Sequence, residues 1–183
     1  IPQIKNPTNV ENIVNFQMRL LENKIAIVTG GSRGIGKAIA RHYSEEGATV
    51  IIADINEKSG KETADSIGGY FVKTDISDEK CVTSLFEYVK TKFARLDVLV
   101  NNAGLLKDST LKKMESDQFD AVINVNLRGT YLCGKAAADM MIEQKSGVIL
   151  NAASVVAHNG NFGQSNYVAS KAGVIGMTKV WAR

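Results

Sequence analysis

The sequence predicts an α/β chain built on a doubly wound parallel sheet, with helices on both faces in a three-layer α/β/α arrangement. Apolar runs rich in Val and Ile recur along the chain, and stretches with helical spacing alternate with them. The runs are nearly continuous in apolar character, as expected of strands covered on both sides. A glycine-rich stretch joins the first run to the first helical pattern. Right-handed crossovers then wind such a chain in two directions from its first strand.

The elements follow in order. KIAIVTG (24–30) reads as a buried strand, and GKAIARHYSEEG as a helix that ends at Gly47. ATVIIAD (48–54) is a second strand and EKSGKETADSI (57–67) a helix. GYFVKTD (69–75) is a third strand; DEKCVTSLFEYVKTKF (78–93) is a helix capped by Asp78. LDVLVNNAG (96–104) supplies a fourth strand and its loop, and a long helical region covers roughly 115–143. GVILNAAS (147–154) is a fifth strand, and SNYVASKAGVIGMTKVWAR opens a last helix. That helical pattern reaches Arg183 without a Gly or Pro stop signal, so the C-terminal part of the fold is expected to be missing.

Bulk composition narrows the function classes. The chain has 183 residues, 44% hydrophobic and 22% charged, which suits one soluble domain with a sizeable core. Its 22 basic residues are scattered among 19 acidic ones, and no basic run interleaves with aromatics, so nucleic-acid binding has little support. Cys81 and Cys133 lie far apart without a CxxC, which argues against a disulfide framework or a zinc site and for a cytoplasmic protein. No apolar stretch approaches the roughly 20 residues that cross a bilayer. Residues 1–17 lack the apolar core of a signal peptide and are read as an N-terminal extension, flexible or artificial, before a dinucleotide-binding domain at 18–183 that could start at Met18.

TGGSRGIG (29–36) lies between the first strand and the first helix. Gly30, Gly34 and Gly36 allow a sharp turn, close approach of a pyrophosphate and tight packing of helix on strand. The helix N-terminus adds free N–H groups and partial positive charge. This is the Rossmann-like pattern. Asp54, at the end of the second strand, can accept hydrogen bonds from an adenosine ribose and would repel a 2′-phosphate, so it favours NAD(H). Arg33 pulls the other way, because a guanidinium in that loop can meet the phosphate of NADP(H). Read without a ligand, Asp54 is a strand-end turn former.

In NYVASK (166–171), Tyr167 and Lys171 stand four apart and share one helix face. Alone, such a pair is an ordinary surface contact. A free phenol titrates near pH ~10. A close ammonium favours its ionised form, which suits a proton donor at neutral pH.

TGGSRGIG, NNAG (101–104), NVNLRGTY (124–131), NAASVVA (151–157) and YVASK (167–171) share their order and spacing with one family. From about Arg19 onward the chain resembles the short-chain dehydrogenase/reductase family. Through SVVAHNGNFGQSNYVASKAGVIGMTK it is most similar to the branch of bacterial 3-oxoacyl-acyl-carrier-protein reductases. The resemblance implies that Gly30, Ser32, Arg33, Gly34, Ile35 and Gly36 hold the pyrophosphate and that Asp54 selects the ribose. It places Asp75 and Ile76 beside the adenine, and Asn102, Ala103 and Gly104 along the cofactor. Asn126, Ser154, Tyr167 and Lys171 match the catalytic tetrad.

In that reading Tyr167 gives a proton to the forming alkoxide. Lys171 tunes the phenol and binds the nicotinamide ribose, Ser154 donates to the substrate oxygen, and Asn126 holds a water that links Lys171 to solvent. No metal is needed, and His42 and His158 are read as structural or solvated. Taken singly, Ser154 is a strand-end hydroxyl and Asn126 a helix-kink residue bonding locally.

The implied reaction is NAD(P)H-dependent reduction of a 3-oxoacyl thioester on acyl-carrier protein or CoA, by a homotetramer joined through the helices at 115–143 and 165 onward. Two other readings stay open: a dehydrogenase of another secondary alcohol, such as a sugar alcohol or steroid, and a silent dinucleotide-binding fragment. A chain that ended at Arg183 would lack the lid over the substrate, and is expected to hold cofactor weakly and turn nothing over.

Overall fold

The computed structural model describes residues 19–183; the expected extension at 1–17 lies outside them. Five parallel strands form one sheet: β1 (Ile25–Thr29), β2 (Thr49–Asp54), β3 (Tyr70–Lys73), β4 (Val98–Asn101) and β5 (Val148–Asn151). Their order is β3-β2-β1-β4-β5, so the winding reverses between β1 and β4. Helices α1 (Gly34–Glu45), α2 (Glu57–Ser66) and α3 (Glu79–Phe93) make the early crossovers. Later come α4 (Ser116–Val122), a π-helical segment (Ile123–Gly129), α5 (Thr130–Glu143), the one-turn α6 (Val156–Asn159) and α7 (Ser165–Trp181).

Successive strand residues face opposite layers. Ile25, Ile27, Ile51, Ala53 and Leu99 pack with Val82, Leu85 and Val89 of α3 and with Leu132, Cys133 and Ala137 of α5. Ala26, Val28, Val50, Ile52, Val98 and Val100 pack on the other side with Ala40 of α1 and Ala64 of α2. The predicted three-layer, doubly wound fold is present. Asp78 caps α3 through the Lys80 N–H (2.8 Å), and Gly47 takes φ +92° just beyond α1. β5 differs from the inner strands: it lies at the sheet edge, with Val148 and Leu150 about half exposed.

The long helix expected at 115–143 is not uniform, because the π-helical segment interrupts it. Such segments often sit at functional sites. Its centre is Asn126, a fully buried amide whose side chain is engaged outside its own helix. α6 went unpredicted because a single turn is too short to show a periodicity.

The amino-terminal edge of the sheet is held by Asp97. Its carboxylate accepts from the Ile25 N–H (2.9 Å) and from Arg95 Nε (2.9 Å), with Lys24 Nζ at 3.5 Å. Burial alone would push this carboxyl up, but the guanidinium, the N–H and Lys24 outweigh it and hold it below the ordinary carboxylate value. The stabilisation is therefore complete above pH ~4, the unfolded value, and is lost as pH falls through the lower folded value. Urea unfolding across pH 2–6 should show a steeper acid loss in wild type than in Asp97→Asn. Parallel curves would remove Asp97 from the acid limb.

Candidate active site

The sequence-predicted site residues gather at the carboxyl edge of the sheet, on both sides of the reversal between β1 and β4. An open crevice lies at such a reversal in a doubly wound sheet. The glycine loop leaves β1 at Gly30 (φ +64°), where a Cβ would come within 2.8 Å of Ala103 Cα. A Cβ on Gly36 would overlap the Gly30 carbonyl oxygen. The loop thus packs against the NNAG segment at van der Waals distance. Asn102 joins them, donating from Nδ2 to the carbonyls of Thr29 (3.0 Å) and Gly30 (3.2 Å). Thr29, which sequence reasoning passed over, accepts the N–H groups of Asn102 (3.0 Å) and Ala103 (3.1 Å) through one hydroxyl.

Among the described residues, none caps the start of α1. Its N-cap, Arg33, makes no side-chain cap bond, and the first turn carries no acid. Gly34 (φ +55°) faces open space, while Arg33 and Ile35 are exposed and Ser32 is buried. Free N–H groups, a positive helix end and room in front of the loop fit a pyrophosphate.

Asp54 is half-buried at the end of β2. It accepts from the Ser32 N–H (3.1 Å) and the Asn56 N–H (3.0 Å). Its carboxylate is therefore tied to the glycine loop as well as to its own turn. Asp75 is exposed and turns the chain after β3 by accepting from Ser77 N (2.9 Å) and Oγ (2.7 Å). The Ile76 side chain is buried and packs beneath Gly129, so any contact of Ile76 with a base would come from its main chain.

The Asn126 side chain does not bond locally. Its Oδ1 accepts from Leu105 N (2.8 Å), and its Nδ2 donates to Leu105 O (3.1 Å) and Ser170 Oγ (3.3 Å). Both Nδ2 hydrogens are thereby committed. The residue's own carbonyl accepts from the Thr130 hydroxyl (2.8 Å), so a water held by Asn126 would have to donate to the second lone pair of that carbonyl or of Oδ1.

Tyr167 and Lys171 lie one turn apart near the N-terminus of α7, with Lys171 Nζ 5.7 Å from the Tyr167 ring centroid. Lys171 is 4% exposed, whereas Tyr167 is half-buried. The ammonium donates to the carbonyl of Ala152, just past β5, and burial pushes it below its ordinary lysine value. A surface pair is excluded by that burial. Ser154 is half-buried, and its Oγ accepts only a long bond from Val156 N (3.4 Å), which leaves its O–H proton free to donate elsewhere.

Sequence reasoning also missed the grip on Tyr167 from its predecessor. Asn166, fully buried, accepts the Tyr167 N–H (2.7 Å) and donates to the carbonyls of Lys107 (2.9 Å) and Gln118 (3.3 Å). The asparagine preceding the tyrosine was the available signal. Among the described residues, no cluster of His, Cys, Asp and Glu could hold a metal ion, and no helix is long and apolar enough to cross a membrane.

A strand edge shaped to admit a dinucleotide, with a phenol and a buried ammonium near it, is the arrangement of an NAD(P)-dependent oxidoreductase. The chain belongs to the short chain dehydrogenase family, whose sequence model matches residues 24–183. The 3-oxoacyl-acyl-carrier-protein reductase FabG of Thermotoga maritima is 44% identical over 168 residues, covering 89% of this chain and 68% of that protein. The protein of the same name from Staphylococcus aureus is 42% identical over 166 residues, with 87% and 68% covered. That from Chlamydia muridarum is 41% identical over 170 residues, with 90% and 68% covered.

Proposed function

We propose that the chain reduces a 3-oxoacyl thioester, carried on acyl-carrier protein or CoA, to the 3-hydroxyacyl thioester. The observation that carries the chemistry is the buried Lys171 beside the half-exposed Tyr167 at the sheet's carboxyl edge. The names of relatives 41–44% identical support the substrate class. Residues 18–183 act as one dinucleotide-binding domain, working in the cytoplasm as a homotetramer built through the helices at about 115–143 and α7.

The reduced nicotinamide, when bound, supplies the hydride that adds to the C3 carbonyl carbon. Gly30, Ser32, Arg33, Gly34, Ile35 and Gly36 bind the pyrophosphate, Asp75 and Ile76 flank the adenine, and Asn102, Ala103 and Gly104 line the cofactor. Ser154 donates a hydrogen bond to the carbonyl oxygen and polarises it. As that oxygen becomes an alkoxide, the Tyr167 hydroxyl transfers its proton there and completes the alcohol. Lys171 stabilises the resulting phenolate and holds the nicotinamide ribose, and the Asn126 carbonyl holds the water that returns a proton. Acetoacetyl-CoA tested against a panel of simple ketones and sugar alcohols separates the readings. We expect the thioester to be preferred; turnover of the panel without the thioester would replace this reading with a general alcohol dehydrogenase.

Asp54 gives the site its preference for NADH. Asp54→Ala should lower the NADH-over-NADPH affinity ratio by about tenfold or more, on the scale of a lost charge-assisted contact, read by cofactor fluorescence titration. An unchanged ratio would return the choice to Arg33.

A further inference from the structure

We propose that Ser170 is a positioning residue whose hydroxyl locks the Asn126 amide to the turn of α7 that carries Tyr167 and Lys171. Ser170 is fully buried. Its Oγ donates to the Tyr167 carbonyl (2.7 Å) and accepts from Asn126 Nδ2 (3.3 Å). One hydroxyl thus spans two elements that the chain separates by 44 residues.

The contact reaches a third segment. Asn126 clamps both main-chain groups of Leu105, one residue beyond the NNAG stretch. Leu105, Asn126, Ser170 and Tyr167 therefore form one hydrogen-bonded chain from the cofactor-lining loop through the π-helical segment to the proposed acid. Small residues on that face of α7 ease the close approach of the two helices. At Gly173, one turn beyond Ser170, a Cβ would stand 2.7 Å from Leu127 Cδ1.

The physical consequence is a shared geometry. Asn126 Nδ2 has two donors, and Ser170 takes one of them. Removing that acceptor leaves a buried N–H unpaired and frees the amide to rotate away from Leu105. The Tyr167 carbonyl loses its extra donor in the same step, so the turn that sets the Tyr167–Lys171 spacing loosens. Burial makes the link effective, because no solvent competes for these groups. The catalytic relevance rests on the assignment of Tyr167 as the acid, whereas the link itself does not.

The test uses the unliganded full chain with two substitutions. Ser170→Ala removes the hydroxyl, and Ser170→Cys keeps its volume but offers only a weak donor and acceptor. Amide hydrogen exchange is followed by NMR at Leu105, with Val28 and Ile51 of the central strands as references. The ring carbons of Tyr167 are compared with those of Tyr70 and Tyr88. We expect Leu105 exchange to rise about fivefold or more in both variants, the size of one lost hydrogen bond. The Tyr167 ring resonances should move in both, while the reference amides and rings stay in place. Unchanged Leu105 exchange, a cysteine variant that matches wild type, or an equal rise at Val28 and Ile51 would each overturn the role. No substrate or cofactor is present, so a failure of the reductase reading would leave this result untouched.

Discussion

Tyr167→Phe should reduce hydride transfer to a ketone substrate by on the order of a thousandfold, within the range for losing a general acid, while dinucleotide affinity stays within about twofold. The phenylalanine ring keeps the shape of the half-buried side chain and its place near Lys171, so packing changes little. What disappears is the proton for the alkoxide. The expectation follows from the site's economy: the Ser154 hydroxyl is free to donate a hydrogen bond but, as an alcohol, is too weak an acid to give up its proton, and the other two members are engaged. Both N–H donors of Asn126 are taken by Leu105 and Ser170, and the Lys171 ammonium is directed at Ala152. Stopped-flow reduction with NADH under single-turnover conditions reads the chemical step directly. A variant that kept a tenth of the wild-type rate would remove Tyr167 as the acid.

Gly36→Ala should abolish measurable dinucleotide binding and also destabilise the fold by about 1–3 kcal/mol, the usual cost of overpacking a close contact. Its added Cβ would overlap the Gly30 carbonyl, a backbone atom, and would stand 2.6 Å from Asn102 Nδ2. Neither neighbour can swing aside as the end of a long side chain could. The Gly30 carbonyl and Asn102 amide are hydrogen-bonded to each other, so one methyl pushes apart the glycine loop and the NNAG segment together. Urea unfolding gives the stability change and fluorescence titration with NADH the affinity. Wild-type affinity in the alanine variant would show that the loop does not receive the pyrophosphate.

Much of this molecule is legible in its sequence. Val28, Ile51, Ile52 and Leu99 stand in continuous apolar runs, and a fully buried strand in a covered parallel sheet leaves that signature. The TGGSRGIG loop was legible because its requirements are backbone requirements, met by glycine at fixed positions. The Tyr167–Lys171 spacing was legible because one helical turn fixes it.

Other features depend on burial and on partners distant in the chain. Asn126 was recognised, but the alternative of local bonding could not be separated from a clamp on Leu105, 21 residues away. The π-helical register has no periodic signature of its own over seven residues. Ser170 carries no signal of its own in the sequence, since a serine's neutrality on a helix says nothing about what its hydroxyl meets. Ile76 read as a neighbour of the adenine, and only the packing of Gly129 over it reveals that its side chain belongs to the core.

One measurement tests the whole account: mass analysis of acetoacetyl-CoA after incubation of the full-length protein with NADH carrying deuterium at both C4 positions. The account predicts 3-hydroxybutyryl-CoA with one deuterium at C3, and none formed at a comparable rate by Tyr167→Phe. Thioester left unreduced by wild type, or reduced equally by the phenylalanine variant, would contradict it.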